Sequence, residues 1–298
     1  MILNVSGRTD IVAFYTPWFL KRIEEGYVDV RNPFYPKQIS RVLINPKTID
    51  AIIFCTKNPL PIIPYLDKLR DYPYVFEVTI TPYGKDIEPF VPPKKDIIKG
   101  IIKISSKIGK DKIIIRYDPI LLNDKYNILY HKRAFTKLLT LLDGCISKII
   151  ISFVDLKKNT LLHQKAEDIM VPNIEEIKEL ATIFGSLAKQ HHIQIQTCAE
   201  NYDLTSYGFS HESCISKEQI YNLTGKTKGF KKSTNRSYCN CLQSVDIGFY
   251  NSCAHFCKYC YANYDESQVK NNMKKHNPDS SLLIGGIEED DIIKIREK

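Results

Sequence analysis

The chain has 298 residues, room for one large α/β barrel or two ordinary domains, and its 43% hydrophobic and 26% charged residues are those of a globular protein, which excludes wholesale disorder. No stretch reaches the roughly 18 unbroken apolar residues of a membrane helix, so no membrane partner is expected. The net charge of +8 permits an anionic partner, nucleic acid included, without demanding one.

The chain opens on a strand-like run, Met1-Ile-Leu-Asn-Val-Ser-Gly-Arg, with no basic head, apolar block or small-residue cleavage site. That beginning predicts a cytoplasmic protein. Strands are predicted at residues 2–5, 51–55, 75–81, 112–116, 148–153 and 193–197. Most are near-continuous runs of Ile and Val, as expected where both faces of a parallel strand are buried. Helical patterns fill the gaps. Thr16-Pro17 reads as an N-cap with Pro at the first helical position, and Gly26 closes that helix. After Asp96, Ile97, Ile98, Ile101, Ile102 and Ile108 recur at helical spacing. A third helix is predicted from about Ile128 to Asp143. A fourth starts at Asn173 and carries Ile174, Ile177, Leu180, Phe184 and Leu187 on one stripe.

Repeated β–α–β units predict an α/β fold, a full or partial (β/α) TIM-like barrel, with function at the C-terminal ends of the strands. Those ends are polar: Ser6-Gly-Arg-Thr-Asp10, Thr56-Lys-Asn58, Thr79 to Tyr83, Arg116-Tyr-Asp118, Asp155 and Thr197-Cys-Ala-Glu200. Residues 1–200 are expected to form the barrel units. Residues 201–264 form a cysteine-rich segment with a last strand from Ser244 to Tyr250. Residues 265–298 read as a hydrophilic tail apart from Leu282-Leu-Ile284, all within one integrated domain.

Seven of the nine cysteines lie in the last third, and Cys55 and Cys145 stand alone in apolar surroundings. Crowded cysteines in a reducing compartment read as metal ligands. Cys253-Ala-His-Phe-Cys257-Lys-Tyr-Cys260 has the spacing C-x3-C-x2-C on a loop directly after a strand. Three thiolates on one short loop can hold three corners of a cubane iron–sulfur cluster and leave the fourth iron without a protein ligand. A structural zinc site wants a fourth ligand, for which His255 is crowded inside the loop.

This loop resembles the signature of the radical S-adenosylmethionine (radical SAM) enzymes, C-x3-C-x-Φ-C with Φ aromatic, Tyr259 standing at Φ. The resemblance implies a 4Fe-4S cluster on Cys253, Cys257 and Cys260. It implies S-adenosyl-L-methionine chelated by the open iron, with Tyr259 near the adenine. It also implies reductive cleavage to a 5′-deoxyadenosyl radical acting on an unknown substrate, and a reductant such as flavodoxin or ferredoxin. In those enzymes the loop follows the first barrel strand, whereas here it follows about six. A circular permutation reconciles the two, residues 245–250 then being the usual first strand with residues 2–5 beside it. The Gly-Gly-Glu signature of such enzymes is not evident after a second strand, Gly285-Gly-Ile-Glu288 lying in the tail. The whole arrangement is similar to the uncharacterised "domain of unknown function 1848" family. That likeness rests on Ser6-Gly-Arg-Thr-Asp10, Thr56-Lys-Asn-Pro59, Arg116-Tyr-Asp-Pro119, Cys198-Ala-Glu200 and Ser244-Val-Asp-Ile-Gly248, and it supplies no substrate.

Cys198, Cys214, Cys239 and Cys241 remain. They are candidates for an auxiliary iron–sulfur cluster, for a zinc site, or for plain buried hydrophobes. Glu200 and, less well oriented, Glu77 are candidates to hold a ligand ammonium or ribose. Arg116 and Arg8 are candidates to bind a carboxylate or phosphate, with ion pairs to Asp118 and Asp10 as the plain alternative. His191-His192 reads as a helix cap. Two other functions stay open: an iron–sulfur electron carrier or redox sensor, and a zinc-bearing nucleic-acid binder. The second would use Lys226, Lys228, Lys231, Lys232 and Arg236 with Phe230 and Tyr238.

Overall fold

The structure is a computed structural model that describes residues 1–155, 169–210, 212–233 and 239–296. Its strands are β1 (Ile2–Val5), β2 (Tyr27–Arg31), β3 (Gln38–Leu43), β4 (Ala51–Thr56), β5 (Tyr74–Thr79), β6 (Ile113–Ile120), β7 (Lys148–Phe153), β8 (Gln194–Thr197), β9 (Ser244–Asp246) and β10 (Ile292–Ile295). Its helices are α1 (Ile11–Phe14), α2 (Thr16–Glu25), α3 (Lys94–Ile108), α4 (Ile128–Leu141), α5 (Ile174–Gln190), α6 (Lys217–Thr224) and α7 (Glu266–Lys274).

Seven strands form one parallel sheet in the order β8-β7-β6-β5-β4-β1-β9. Among the described residues it is open, with β8 and β9 as its two edges, so the fold is a partial rather than a closed ring. Six of these strands match the expected runs within a few residues, and the last, predicted over Ser244 to Tyr250, shortens to β9.

The helices begin and end where local chemistry directs. Asn173 caps α5 in a capping box with Glu176, and Gly26 ends α2 in the left-handed region at φ 80°. Thr16 is not the cap it was expected to be: its hydroxyl donates back to Val12 O at 2.7 Å, inside the preceding helical turn. Tyr15 stands at the N-cap instead, with no side-chain cap hydrogen bond.

One side of the sheet is apolar. Leu3, Val5, Phe54, Phe76, Ile115, Tyr117 and Ile151 pack there against the helices. Phe54 stacks on Phe76 with ring centroids 4.7 Å apart and meets Phe19 edge-on at 5.5 Å. The other side is divided. Ile2, Ala51, Ile53, Val75, Ile114 and Ile150 make a smaller core beneath Ile215, Ile220 and Leu242. Further toward the strand C-termini the same face continues with Asn4, Cys55, Glu77, Arg116 and Ser152. A period of two therefore places one chemically mixed face under whatever covers the strand ends.

A second sheet, β10-β3-β2, was not anticipated. β2 and β3 pair antiparallel, and β10, from the expected tail, adds in parallel to β3. That tail also contains α7, and Leu282, Leu283 and Ile284 are buried.

β9 is seated on β1 with little clearance. A Cβ on Gly248 would lie 2.0 Å from Ser6 Oγ and 2.9 Å from Ser6 Cβ. Gly248→Ala is therefore expected to lower stability by about 1–3 kcal/mol through overpacking. Urea denaturation checks this, and an unchanged midpoint would contradict so close a seating.

Candidate functional site

The polar strand ends and the cysteine loop enclose a cavity of about 820 Å³. Cys253, Cys257, Cys260, Cys198, Cys214, Cys239 and Cys241 all line it, as do Arg116, Glu200 and Tyr259. Cys55 packs on the smaller core, as its apolar surroundings in sequence suggested, but it does not stand alone: it lines the cavity too, with its Sγ 3.4 Å from Asn4 Oδ1. Arg8 is not among the lining residues. It pairs with Asp246 rather than Asp10, at 3.0 Å, and lies over the Tyr250 ring.

Asp246 joins the cysteine-loop strand to β1. Its carboxylate accepts from Ser6 Oγ (2.7 Å), Gly7 N (2.7 Å), Arg8 Nε (3.0 Å) and Gly248 N (2.8 Å). Four donors on one partly buried carboxylate are strong charge-assisted bonds. The loop that follows closes on itself through Asn251 N to Ala262 O (2.9 Å) and Asn263 Nδ2 to Cys253 O (2.5 Å). Asn251 and Phe256 adopt positive φ, 51° and 53°, to make the turns. Outside contacts fix its place: Tyr15 donates to Ser252 O and Tyr261 to Gly7 O, both at 2.6 Å.

His255 is 2% exposed, and its Nε2 lies 3.0 Å from Asp10 Oδ2. Asp10 also accepts from Thr56 Oγ1, Lys57 N and Ala13 N. Its Nδ1 has no hydrogen-bond partner among the described residues. The role of His255 is thus to anchor the loop through Asp10.

Backbone N–H groups point at the thiols, Ala262 N lying 3.3 Å from Cys260 Sγ. Burial pushes all three thiols above their ordinary range. Asp10 raises Cys253 further, while Lys57 works against the rise at Cys257 and Cys260. Ligation by a metal would reverse the balance by taking up the thiolates.

On the sheet side, Arg116 donates to Glu77 at 2.9 Å and to Asp118 at 2.5 and 3.0 Å. Glu77 is 2% exposed and lines the cavity, so its orientation toward the site was underestimated; its Oε1 has no partner among the described residues. Burial raises its carboxyl and Arg116 opposes the rise. Glu200 accepts from Phe153 N at 2.8 Å. Burial pushes it up to about 7 against that hydrogen bond, with Asp155 and Asp118 adding to the rise.

Glu88 is a member of the site with no motif to announce it. Its carboxylate accepts from Lys57 (2.8 Å), Lys94, Thr81 (2.7 Å) and the Tyr259 hydroxyl. Lys57 Nζ also sits 5.4 Å from the Tyr259 ring centroid. One buried carboxylate therefore fixes the aromatic of the cysteine loop and two lysines beside it.

Cys198 and Cys214 bring their sulfurs to 2.7 Å, and Cys214 also hydrogen-bonds Cys241. In the basic stretch, Lys226 pairs with Asp50 at 2.6 Å and Phe230 packs on the smaller core, while Arg236 and Tyr238 lie outside the described residues. Gly285-Gly286 and Glu288 sit by the second sheet, where Arg31 and Lys37 hold them, and none lines the cavity. His191 ends α5 and its Nδ1 faces Asp143 at 3.4 Å.

Burial alone would raise Glu88, but Lys57 and Lys94 outweigh it and hold the group down to about 2, against an ordinary 4.5. A depressed carboxyl contributes stability that is present above about pH 4.5 and is lost as pH falls toward 2. Glu88→Gln is expected to cost about 3–5 kcal/mol at pH 7, because two buried ammonium groups lose their partner. The deficit should shrink as pH falls through that window. Urea denaturation at pH 7 and in acid checks this, and a pH-independent deficit would contradict it.

No curated protein matches the sequence. Among solved structures, a candidate alpha-L-fucosidase from Bacteroides thetaiotaomicron VPI-5482 is similar at 11% identity, over 70% of this chain and 81% of that one. Its TM-score of 0.23 is too low to bear on fold or function. No helix is long and apolar enough to cross a membrane among the described residues. The family described as "Domain of unknown function (DUF1848)" matches residues 2–262, nearly the whole sheet and the complete cysteine loop, and the chain belongs to it.

Proposed function

We propose that this protein is an iron–sulfur enzyme of the radical SAM type, with Cys253, Cys257 and Cys260 holding a 4Fe-4S cluster and S-adenosyl-L-methionine bound beside it. The observation that carries the reading is the position of the loop: three thiols on one turn close a cavity whose other walls are polar strand ends. At about 820 Å³ the cavity is in the range of small-molecule sites.

The donor set fits such a cluster. The loop offers three soft ligands, with backbone N–H groups aimed at sulfur. Among the described residues no three cysteine sulfurs lie within 4.8 Å of one another. One tetrahedral zinc, bonded at about 2.3 Å, would draw its sulfurs to about 3.8 Å. A cubane separates its thiolates more widely, because each binds a different iron. The parallel pairing of β9 with β1 supports the permuted arrangement, in which the cysteine-loop strand neighbours the N-terminal strand.

When bound, the cluster supplies the single electron that splits the sulfonium of S-adenosylmethionine. The chain's own residues bind, orient and exclude water. Tyr259, held by Glu88 and Lys57, offers a fixed aromatic face for the adenine. Glu200 and Glu77 offer carboxylates to the ligand's ammonium and ribose. Arg116, clamped by Glu77 and Asp118, presents a guanidinium to a substrate anion. Flavodoxin or ferredoxin is the class of reductant this chemistry requires. The substrate is a small molecule or an exposed group of a larger one that enters the cavity.

An electron carrier or redox sensor built on the same cluster is the second reading. It is favoured by the position of Gly285-Gly286 and Glu288 outside the cavity.

Anaerobic purification is expected to give a brown protein with about four or about eight irons per chain and matching sulfide. S-adenosylmethionine and a strong reductant are then expected to yield 5′-deoxyadenosine, and Cys257→Ala to abolish it. Clusters without 5′-deoxyadenosine would select the carrier reading. A colourless zinc protein, inert after iron–sulfur reconstitution, would contradict both and return nucleic acid to the front.

A further inference from the structure

We infer that Cys198, Cys214, Cys239 and Cys241 form a second thiolate centre that binds its own iron–sulfur cluster in a different wall of the same cavity. This centre does not depend on whether the first loop binds S-adenosylmethionine.

The four cysteines come from three separate parts of the chain; backbone bonds bring Cys198, Cys214 and Cys241 together, and Cys239 lines the same cavity two residues before Cys241. Cys198 follows β8 and is tied to β7 through its N–H to Ile151 O at 2.9 Å. Leu242 N donates to Ile215 O at 2.9 Å, which lays Cys241 beside Cys214. Residues 231–233 and 241–243 pair through Ser233 N to Cys241 O and Gln243 N to Lys231 O, both 2.8 Å. Cys214 is the hub, since its thiol bonds to both Cys198 and Cys241.

Two plainer roles fit less well. Buried cysteines that act as small hydrophobes pack into apolar surroundings. Cys214, Cys198 and Cys241 do border the smaller core, but all four also line the cavity, with the Arg116 guanidinium acting electrostatically on Cys198 and Cys214. A disulfide would use two of the four, and the 2.7 Å between Cys198 and Cys214 is longer than the roughly 2.05 Å of that bond. All nine cysteines are free thiols. Cys198 and Cys214, at 2.7 Å, sit closer than the thiolates of a zinc site or of a cluster do, so loading with either must spread them, and the iron, sulfide and zinc content decides between the two. On assembly each thiol gives up its proton to solvent and binds iron, with iron and sulfide supplied as such.

The test is iron, sulfide and zinc per chain, measured anaerobically on three proteins after the same reconstitution. They are the native chain, the triple variant Cys253→Ala, Cys257→Ala, Cys260→Ala, and the triple variant Cys198→Ala, Cys214→Ala, Cys241→Ala. Each variant is expected to keep about half of the native iron. Native iron content in the second variant would overturn the inference, and so would zinc lost in proportion to it. Full retention in the first variant alone would overturn the reading of the loop and leave this centre standing.

Because a variant can fail to fold, the native chain is also probed by alkylation and mass spectrometry, with and without chelation of its iron. Cys198, Cys214 and Cys241 are expected to be protected in the loaded protein and modified once iron is removed, while Cys145, outside the cavity, changes little. Equal modification in both states would overturn the inference.

Discussion

One carboxylate, Asp246, decides where the cysteine loop sits. It sits at the end of β9 and accepts hydrogen bonds from three consecutive residues after β1, and from Gly248 two residues beyond it. β9 has only three residues, too few to hold an edge by ladder bonds alone. Replacing some of those bonds with charge-assisted ones at Ser6, Gly7 and Arg8 lets a strand from the far end of the chain dock against the first strand. The cysteine loop leaves from that strand, so its height above the sheet follows from this seating. Arg8, read from the sequence as an anion-binding group, is used to make it.

The sheet imposes a second constraint. Ile2, Ile53, Glu77 and Arg116 lie in different register rows of one face, so that face must be apolar at one end of the strands and charged at the other. The apolar end is sealed by Ile215, Ile220 and Leu242, which belong to the segment that also carries Cys214 and Cys241. The charged end keeps its groups paired, Arg116 with Glu77 and Asp118, Lys57 and Lys94 with Glu88. Buried charges in such a place are costly unless paired, and a protein seeking only stability would fill the space with hydrocarbon. Their retention beside eight cavity-lining cysteines is what a binding or reacting site requires.

Much of the sheet was legible in the sequence because buried parallel strands announce themselves as Ile and Val runs. The three loop cysteines were legible because their spacing is local. The hairpin β2–β3 was not, since Tyr27-Val-Asp-Val-Arg31 and Gln38-Ile-Ser-Arg-Val-Leu43 are short and half-exposed, and their partner β10 lies about 250 residues away. Glu88, Cys55 and the Asp10–His255 contact were missed for the same reason. Each has ordinary neighbours in sequence, and its partners come from other loops. Cys198, Cys214, Cys239 and Cys241 were an irregular set on paper, and only the fold shows that they share one cavity with the loop.

The central claim is that the Cys253–Cys260 loop holds a cluster with one iron open to a ligand. The most direct measurement is the electron paramagnetic resonance spectrum of the reduced, anaerobic protein with and without S-adenosylmethionine. An open iron predicts one cluster component that Cys257→Ala removes, and that shifts and broadens when S-adenosylmethionine carries a magnetic isotope in its amino or carboxylate group. A spectrum in which no component responds to S-adenosylmethionine, or in which Cys257→Ala removes none, would contradict it.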